Sequence, residues 1–349
     1  MDLTELAGIG PDTAKKYEKK GIVKVEQLLD IPPPKIAEML NITNDAANTL
    51  CTKAAAKVRK KSKVPMLQVA SQVVDNQEII TTGSKQLDKV LGGGLKTSAT
   101  TEVYGEFGSG KTQFSHTMAV RVQLPKEKGG LDGRAVWIDT EGTFKKKRII
   151  KISEALGLDP NEVLDNIIVA RAYNSVDQKN ILLEIQNMLI DSEEEKKIRL
   201  IIVDSAIGLF RQDFSGRAML SERQKYLDEF LTLNSNMANN HNLATIWTNQ
   251  VMTDPGVLFG DTTKPVGGTV LAHKSTYRVY FQKLGKLKGA KMVDSPEDAE
   301  IEVNFGLSDC GVVDPDVADK EYKEKKAEYK ANKEKAVKGK LETEESEEE

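Results

Sequence analysis

The run Gly105–Glu106–Phe107–Gly108–Ser109–Gly110–Lys111–Thr112 constrains this 349-residue chain more than any other stretch. It satisfies G-x-x-x-x-G-K-[ST] at every fixed position, the pattern of a phosphate-binding loop. The flanks agree with it. Thr100–Tyr104 is β-branched and aromatic and reads as a strand; Gln113–Val122 has neither Gly nor Pro and reads as a helix. Strand, glycine loop and helix in that order gather backbone N–H groups and the positive end of a helix dipole around phosphate. In such a loop Lys111 reaches the β- and γ-phosphates and Thr112 ligates magnesium. A glycine turn that binds nothing is the alternative, and the flanking elements count against it.

Hydrophobic residues make up 39% of the chain, enough for a buried core, and its length suggests one large domain plus a small one. Charged residues reach 30%, yet the net charge is only −3, so a nucleic-acid partner would have to be met by focal basic loops. Cys51 and Cys310 form neither a CxxC nor a disulfide framework, which points to a reducing cytoplasm. There is no signal-peptide pattern, and no apolar run approaches the roughly 20 residues that span a bilayer. No membrane partner is expected.

Four segments follow along the chain. Residues 1–60 read as a small all-α module. Leu6–Pro11 turns between short helices, Asp12 or Thr13 caps the second, and Ala14, Tyr17 and Ile22 supply apolar contacts. Ile31–Pro34 breaks the chain, Lys35–Leu40 begins another helix, and Asn44–Val58 is an Ala-rich one. This is a helix-hairpin-helix pattern, whose Gly8–Ile9–Gly10 turn serves either a DNA phosphate or a protein partner; the residues leave both open. Residues 61–80 read as a linker, and the basic run Lys57–Lys63 as a solvated face. Residues 81–314 hold the core. Ala135–Ile138, Ile167–Val169, Leu200–Val203 and Leu243–Trp247 are short, continuous apolar runs between helical stretches. They predict a doubly wound α/β sheet covered on both faces, with ligands at the carboxyl ends of its strands. In residues 315–349 Lys and Glu dominate and the end is Glu-rich, so a solvated, charged tail is expected, disordered or transiently helical.

Asp204, directly after one apolar run, suits a magnesium-water contact; a buried Asp satisfied by backbone N–H groups is the alternative. Glu141, at the end of the neighbouring strand, either orients and deprotonates an attacking water or caps the next helix. Gln250 stands where an amide senses a γ-phosphate and passes its presence to the next loop. Two stretches read as nucleic-acid loops. Phe210–Arg223 spaces Arg211, Arg217 and Arg223 equally around Gly216. Met252–Thr269 holds Pro255, Gly256, Gly260, Gly267 and Gly268, with Phe259 and Lys264 between them. An exposed aromatic beside basic residues suits stacking on single-stranded bases; a substrate lid whose Phe259 packs on the core is the alternative. His116, His241 and His273 make no metal pattern: His116 reads as structural, His273 as a phosphate contact.

The chain resembles the RecA/RadA family of DNA strand-exchange ATPases, in its archaeal form, over residues 1–313. The stretches that carry this are Thr81–Leu95, Gly105–Gln113, Ile138–Phe144, Leu164–Ser175, Ser221–Gln224, Thr248–Val251 and Pro265–His273. The run Ala170–Arg171–Ala172–Tyr173–Asn174–Ser175 is particularly specific to that family. The resemblance implies a RecA-like P-loop ATPase core behind a helix-hairpin-helix domain. It implies ATP and Mg2+ as cofactors. Its implied partners are single- and double-stranded DNA and further copies of the chain, as a helical filament or as rings. It places the nucleotide on Gly105, Glu106, Phe107, Gly108, Ser109, Gly110, Lys111, Thr112 and Gln113, with Arg148 stacking on adenine. Thr112 and Asp204 serve the metal, Glu141 activates water, and Gln250 couples the γ-phosphate to the second DNA loop. Arg211, Arg217, Arg223, Phe259, Lys264, Gly267 and Gly268 meet DNA.

The chain departs from the family pattern in four places. A linker phenylalanine plugs into the next subunit of the family's filaments, but the first phenylalanine here is Phe107, and Val64 and Leu67 occupy the corresponding region. Phe144–Lys145–Lys146–Lys147–Arg148 replaces Phe-Arg-Pro-Glu-Arg. The segment with Asp294 and Pro296, which corresponds to a cap over ATP, is shorter and lacks a second proline. The charged tail is an extension, and a polyanionic end is expected to compete with DNA for the basic loops. The reading that follows is an ATP-dependent recombinase that coats single-stranded DNA and exchanges strands. An accessory ATP-binding protein that modulates a recombinase fits the absent plug. A hexameric helicase on the same core fits the N-terminal module and the Ala170–Ser175 run poorly.

Overall fold

Alternation of side chains along the central strands decides the architecture. The computed structural model describes residues 1–62, 76–190, 197–253 and 263–329. Its helices are α1 (Pro11–Glu18), α2 (Gln27–Asp30), α3 (Pro33–Leu40), α4 (Asn44–Ser62), α5 (Lys85–Val90), α6 (Lys111–Arg121), α7 (Lys146–Ala155), α8 (Pro160–Asp165), α9 (Ser175–Ile190), α10 (Gly208–Asp213), α11 (Leu220–His241), α12 (Gly268–Lys274) and α13 (315–329). The strands are β1 (Ile79–Ile80), β2 (Leu95–Lys96), β3 (Ala99–Gly105), β4 (Arg134–Asp139), β5 (Ile167–Arg171), β6 (Ile198–Asp204), β7 (Ala244–Asn249), β8 (Val251–Thr253), β9 (Thr263–Pro265), β10 (Tyr277–Leu284), β11 (Leu287–Asp294), β12 (Glu302–Ser308) and β13 (Gly311–Val313).

One nine-stranded sheet runs in the order β13-β12-β11-β10-β3-β7-β6-β4-β5. From β10 to β5 neighbouring strands are parallel; from β10 to β13 they are antiparallel. The sheet is therefore mixed. The four apolar runs of the sequence became strands β4 to β7, and Thr100–Tyr104 became β3. Successive residues point to opposite faces, so each strand feeds two cores. Val136, Ile138, Ile201 and Val203 join one core with Leu182, Ile185, Phe230 and Leu231 of α9 and α11. Ala135, Trp137, Leu200 and Ile202 join the other with Phe114, Met118, Ile149 and Val163 of α6 to α8. Helices thus cover both faces of the parallel half. The antiparallel extension has no such apolar runs: β10 to β12 carry charged and amide residues on a partly exposed side, as in the half-open pattern of β11, and β13 is only three residues long.

The N-terminal helices form as the sequence predicts, with changes at their starts. Gly10, not Asp12 or Thr13, is the N-cap of α1, with Pro11 in its first turn. Pro33 likewise opens α3 rather than breaking the chain, because proline lacks the N–H that the first turn leaves unpaired anyway. Asp30, fully buried, joins this module to the core: its carboxylate accepts from Gln186 and Asn240, and its carbonyl from Asn236. The described part of the tail is helical, α13. Helix α13 is held by the Glu321 carboxylate, which accepts the Asp309 N–H at 3.0 Å, by Lys325 against Asp309 at 2.6 Å, and by Lys286 over the Tyr322 ring. Among the described residues no helix is long and apolar enough to cross a membrane.

Candidate nucleotide site and flanking loops

Gly105 ends β3 and begins the loop at the carboxyl edge of the sheet. A Cβ there would lie 2.1 Å from the carbonyl oxygen of Phe281 on β10, so only glycine fits. The loop wraps the N-terminus of α6, and Gly110 is its N-cap. Lys111 sends its Nζ back across the loop, donating to the carbonyls of Gly105 at 2.7 Å and Glu106 at 2.9 Å. Burial lowers the pKa of this ammonium, and Asp204, Glu141 and Glu106 oppose the shift. The cleft holds about 520 Å³ and is lined by the loop, Thr112, Gln113, Glu141, Thr143, Asp204, Ser205, Thr248, Gln250 and Lys288.

Register brings the acidic residues together. β4 pairs with β6 so that Asp139 lies beside Asp204. Three hydroxyls donate to the Asp204 carboxylate: Thr112 and Thr143, each 2.9 Å from Oδ2, and Thr248 on Oδ1. Side-chain hydroxyls, not backbone N–H groups, therefore satisfy this buried Asp. Thr112 and Asp204 present hard oxygen donors to one point, the donor chemistry that Mg2+ requires.

Glu141 does not cap α7, whose N-cap is Lys145. Its Oε1 accepts from Ser205 Oγ at 2.7 Å and from Gln250 Nε2 at 3.1 Å. Asp139 Oδ1 accepts the N–H groups of Gly142 and Thr143 at 2.8 and 3.0 Å, and the Arg171 guanidinium at 3.1 Å, which folds the turn that carries Glu141. His116 is structural, as expected. Its Nδ1–H faces the Thr112 carbonyl at 2.7 Å and its Nε2 accepts the Lys145 N–H at 2.9 Å, a neutral ring tying α6 to the turn after Glu141. Burial lowers its pKa.

Other expected residues lie elsewhere. The Phe107 side chain is fully exposed, so this position offers the loop only its backbone. Arg148 does not line the cleft; it lies behind Gln113, donating to its Oε1 at 2.7 Å and to the Ser308 carbonyl at 2.7 Å. The stretch read as a first loop is mostly helical: Arg211 is on α10, Arg223 in the first turn of α11, and only Arg217 in the loop between them. None of the three is in an ion pair among the described residues, and Arg211 and Arg217 are exposed. Lys264 sits exposed on β9, and Gly267 and Gly268 open α12 beside Ile207. His273 is exposed on α12, outside the cleft. Phe259, Val64 and Leu67 lie outside the described residues. Asp139, Thr143, Ser205, Thr248 and Lys288 were not singled out as site residues from sequence. For the first four the one available signal was their nearness in sequence to Glu141, Asp204 and Gln250; Lys288, on β11, had none.

Comparison with known proteins agrees with this geometry. The Rad51 family model matches residues 72–315. The DNA repair and recombination protein RadA of Cenarchaeum symbiosum is 43% identical over 319 residues, covering 90% of this chain and 79% of that protein. The protein of the same name from Aeropyrum pernix is 40% identical over 317 residues, covering 90% of this chain and 97% of its own length. A phosphate loop, an acid at the end of β6 and a carboxylate held from two strand ends thus sit inside a match that spans most of the molecule, and the chain belongs to the Rad51 family.

Proposed function

We propose that the chain is an ATP-dependent DNA recombinase of the cytoplasm. It binds single-stranded DNA as a homo-oligomeric filament and exchanges strands with homologous duplex in recombinational repair. The observation that carries this reading is the attachment of Glu141 to Gln250, which links a water-activating carboxylate to the strand leading into the second loop. Both similar proteins are named for DNA repair and recombination.

The residues divide the work as follows. The backbone N–H groups of 108–113 and the Lys111 ammonium bind the phosphates of ATP. Thr112 and Asp204 hold Mg2+ and its water. When bound, the metal neutralises charge on the transferred phosphoryl group. Glu141 Oε1 is occupied by two donors, and no described residue donates to Oε2, so Oε2 takes the proton of an attacking water. Gln250 reports the phosphate to β8, and Arg211, Arg217, Arg223 and Lys264 meet the DNA backbone. The helix-hairpin-helix module at residues 1–60 gives a further DNA or protein contact. A head-to-tail contact that repeats without closing gives the open filament.

ATP hydrolysis measured with and without single-stranded DNA, at several protein concentrations, tests this. Turnover per subunit that rises with DNA and with concentration supports it. Binding of ATP without DNA-responsive turnover overturns it in favour of an accessory ATP-binding role.

A further inference from the structure

The Glu141 carboxylate is held through a single oxygen by two donors of different origin. Gln250 reaches it from the end of β7, on the path to the second loop. Ser205 reaches it from the end of β6, on the path to the first. Ser205 is buried and its backbone is fixed twice to Thr140: its N–H donates to Thr140 Oγ1 at 2.7 Å, and that hydroxyl donates to the Ser205 carbonyl at 3.1 Å. Its backbone is therefore anchored to Thr140, and its hydroxyl also lies against the segment beyond it. That segment is three residues long and ends at Gly208, the first residue of α10, which carries Arg211. A Cβ at Gly208 would stand 2.9 Å from Ser205 Oγ and 3.5 Å from Glu141 Oε1, so α10 abuts this hydrogen bond with no side chain between.

We propose that Ser205 is a positioning residue for Glu141 and the route by which DNA at the first loop acts on hydrolysis, the counterpart of Gln250 at the second. The proposal rests on the recombinase reading above. DNA bound to Arg211 and Arg217 fixes α10; α10 fixes Gly208; Gly208 sets the Ser205 hydroxyl; the hydroxyl sets which way Glu141 Oε2 faces. Both loops thereby converge on one carboxylate oxygen, and full turnover requires both donors in place.

Two variants test it, Ser205→Ala, which removes the donor, and Gly208→Ala, which presses on it from α10. Each is assayed for ATP turnover with and without single-stranded DNA, for ATP KM, for DNA affinity and for Tm. The expected result is a roughly tenfold fall in DNA-stimulated kcat. DNA-free turnover falls much less, and KM and DNA affinity change less than about twofold, so the stimulation ratio collapses. An unchanged ratio in both variants overturns the proposal. So does an equal loss with and without DNA, which is what a merely structural serine would give. If Ser205→Ala lowers Tm severely, Gly208→Ala decides, since its change lies at a helix start. A wild-type protein whose turnover ignores DNA defeats the recombinase reading itself, and is recognised before any variant is made.

Discussion

Asp139 shows how one side chain shapes the turn that carries Glu141 without lining the cleft. Its Oδ1 gathers two short backbone N–H bonds and Arg171, and the turn so formed presents Glu141. Asp139→Ala leaves those N–H groups without their acceptor, at about 1–3 kcal/mol for each one that water does not reach. The expected outcome is a lower Tm together with a kcat loss, read by thermal melting and steady-state turnover. Glu141→Gln keeps the shape of the side chain and removes the proposed base. It should bind ATP normally and lose about 10²–10⁴-fold in turnover, measured by nucleotide binding beside single-turnover hydrolysis. The loop lysine, the acid at Asp204 and the pair Glu141 and Gln250 were legible because their residue types and strand-end positions carry chemistry in one dimension. Ser205 and Thr143 were not. Their partners lie 64 and 61 residues away, and a serine or threonine has many uses.

At the scale of elements, continuous apolar runs identified β4 to β7, whereas β10 to β12 carry polar residues on a partly exposed side and β13, though buried, is only three residues long. The same limit applies to α13: Tyr322 and Glu321 look unremarkable in a charged tail until Lys286 and Asp309 are beside them. Gly105 couples the loop to β10, and Gly105→Ala forces a Cβ against backbone, which nothing nearby can relieve. That variant should fold poorly, with Tm lowered by many degrees and no nucleotide-dependent stabilisation. β2 anchors the segment after β11 through the buried Lys96, which pairs with Glu297 and Asp298 while Glu297 also accepts from Tyr277. The ammonium pKa is raised by Glu297 and Asp298 against the opposing effect of burial, and the Glu297 carboxyl is lowered, chiefly by its hydrogen bond from Lys96. A raised Lys contributes below its ordinary 10.5, and a lowered Glu contributes above its ordinary 4.5. The anchor is therefore complete between those values. Wild type should exceed Lys96→Met in Tm by a constant margin from about pH 5 to 10, a margin that shrinks as Glu297 protonates in more acid solution.

At the scale of the whole molecule, the N-terminal module rests on α9 and α11 through contacts centred on one buried carboxylate. Asp30→Ala strands the Asn240 amide, at about 1–3 kcal/mol, and leaves Gln186 only its longer bond to the Gln27 carbonyl. The module should then separate from an intact core, seen as a larger radius of gyration in solution scattering. The sequence marked this module and its helices, but not its seat, because Gln186, Asn236 and Asn240 are ordinary surface residues until α2 covers them. The sheet's register has a different consequence. Asp139, Arg171 and Asp204 all stand at one level across β5, β4 and β6. The chemistry is thus ruled off at a common height, as on a measuring stick whose divisions are about 3.3 Å. A residue inserted within any of these strands displaces its reactive group by one division and turns it to the opposite face, whereas insertions at the amino ends of the strands leave the ruled line untouched. Chimeras that exchange whole strand–helix units between relatives should therefore keep a working site wherever strand length is preserved, however much the helices differ.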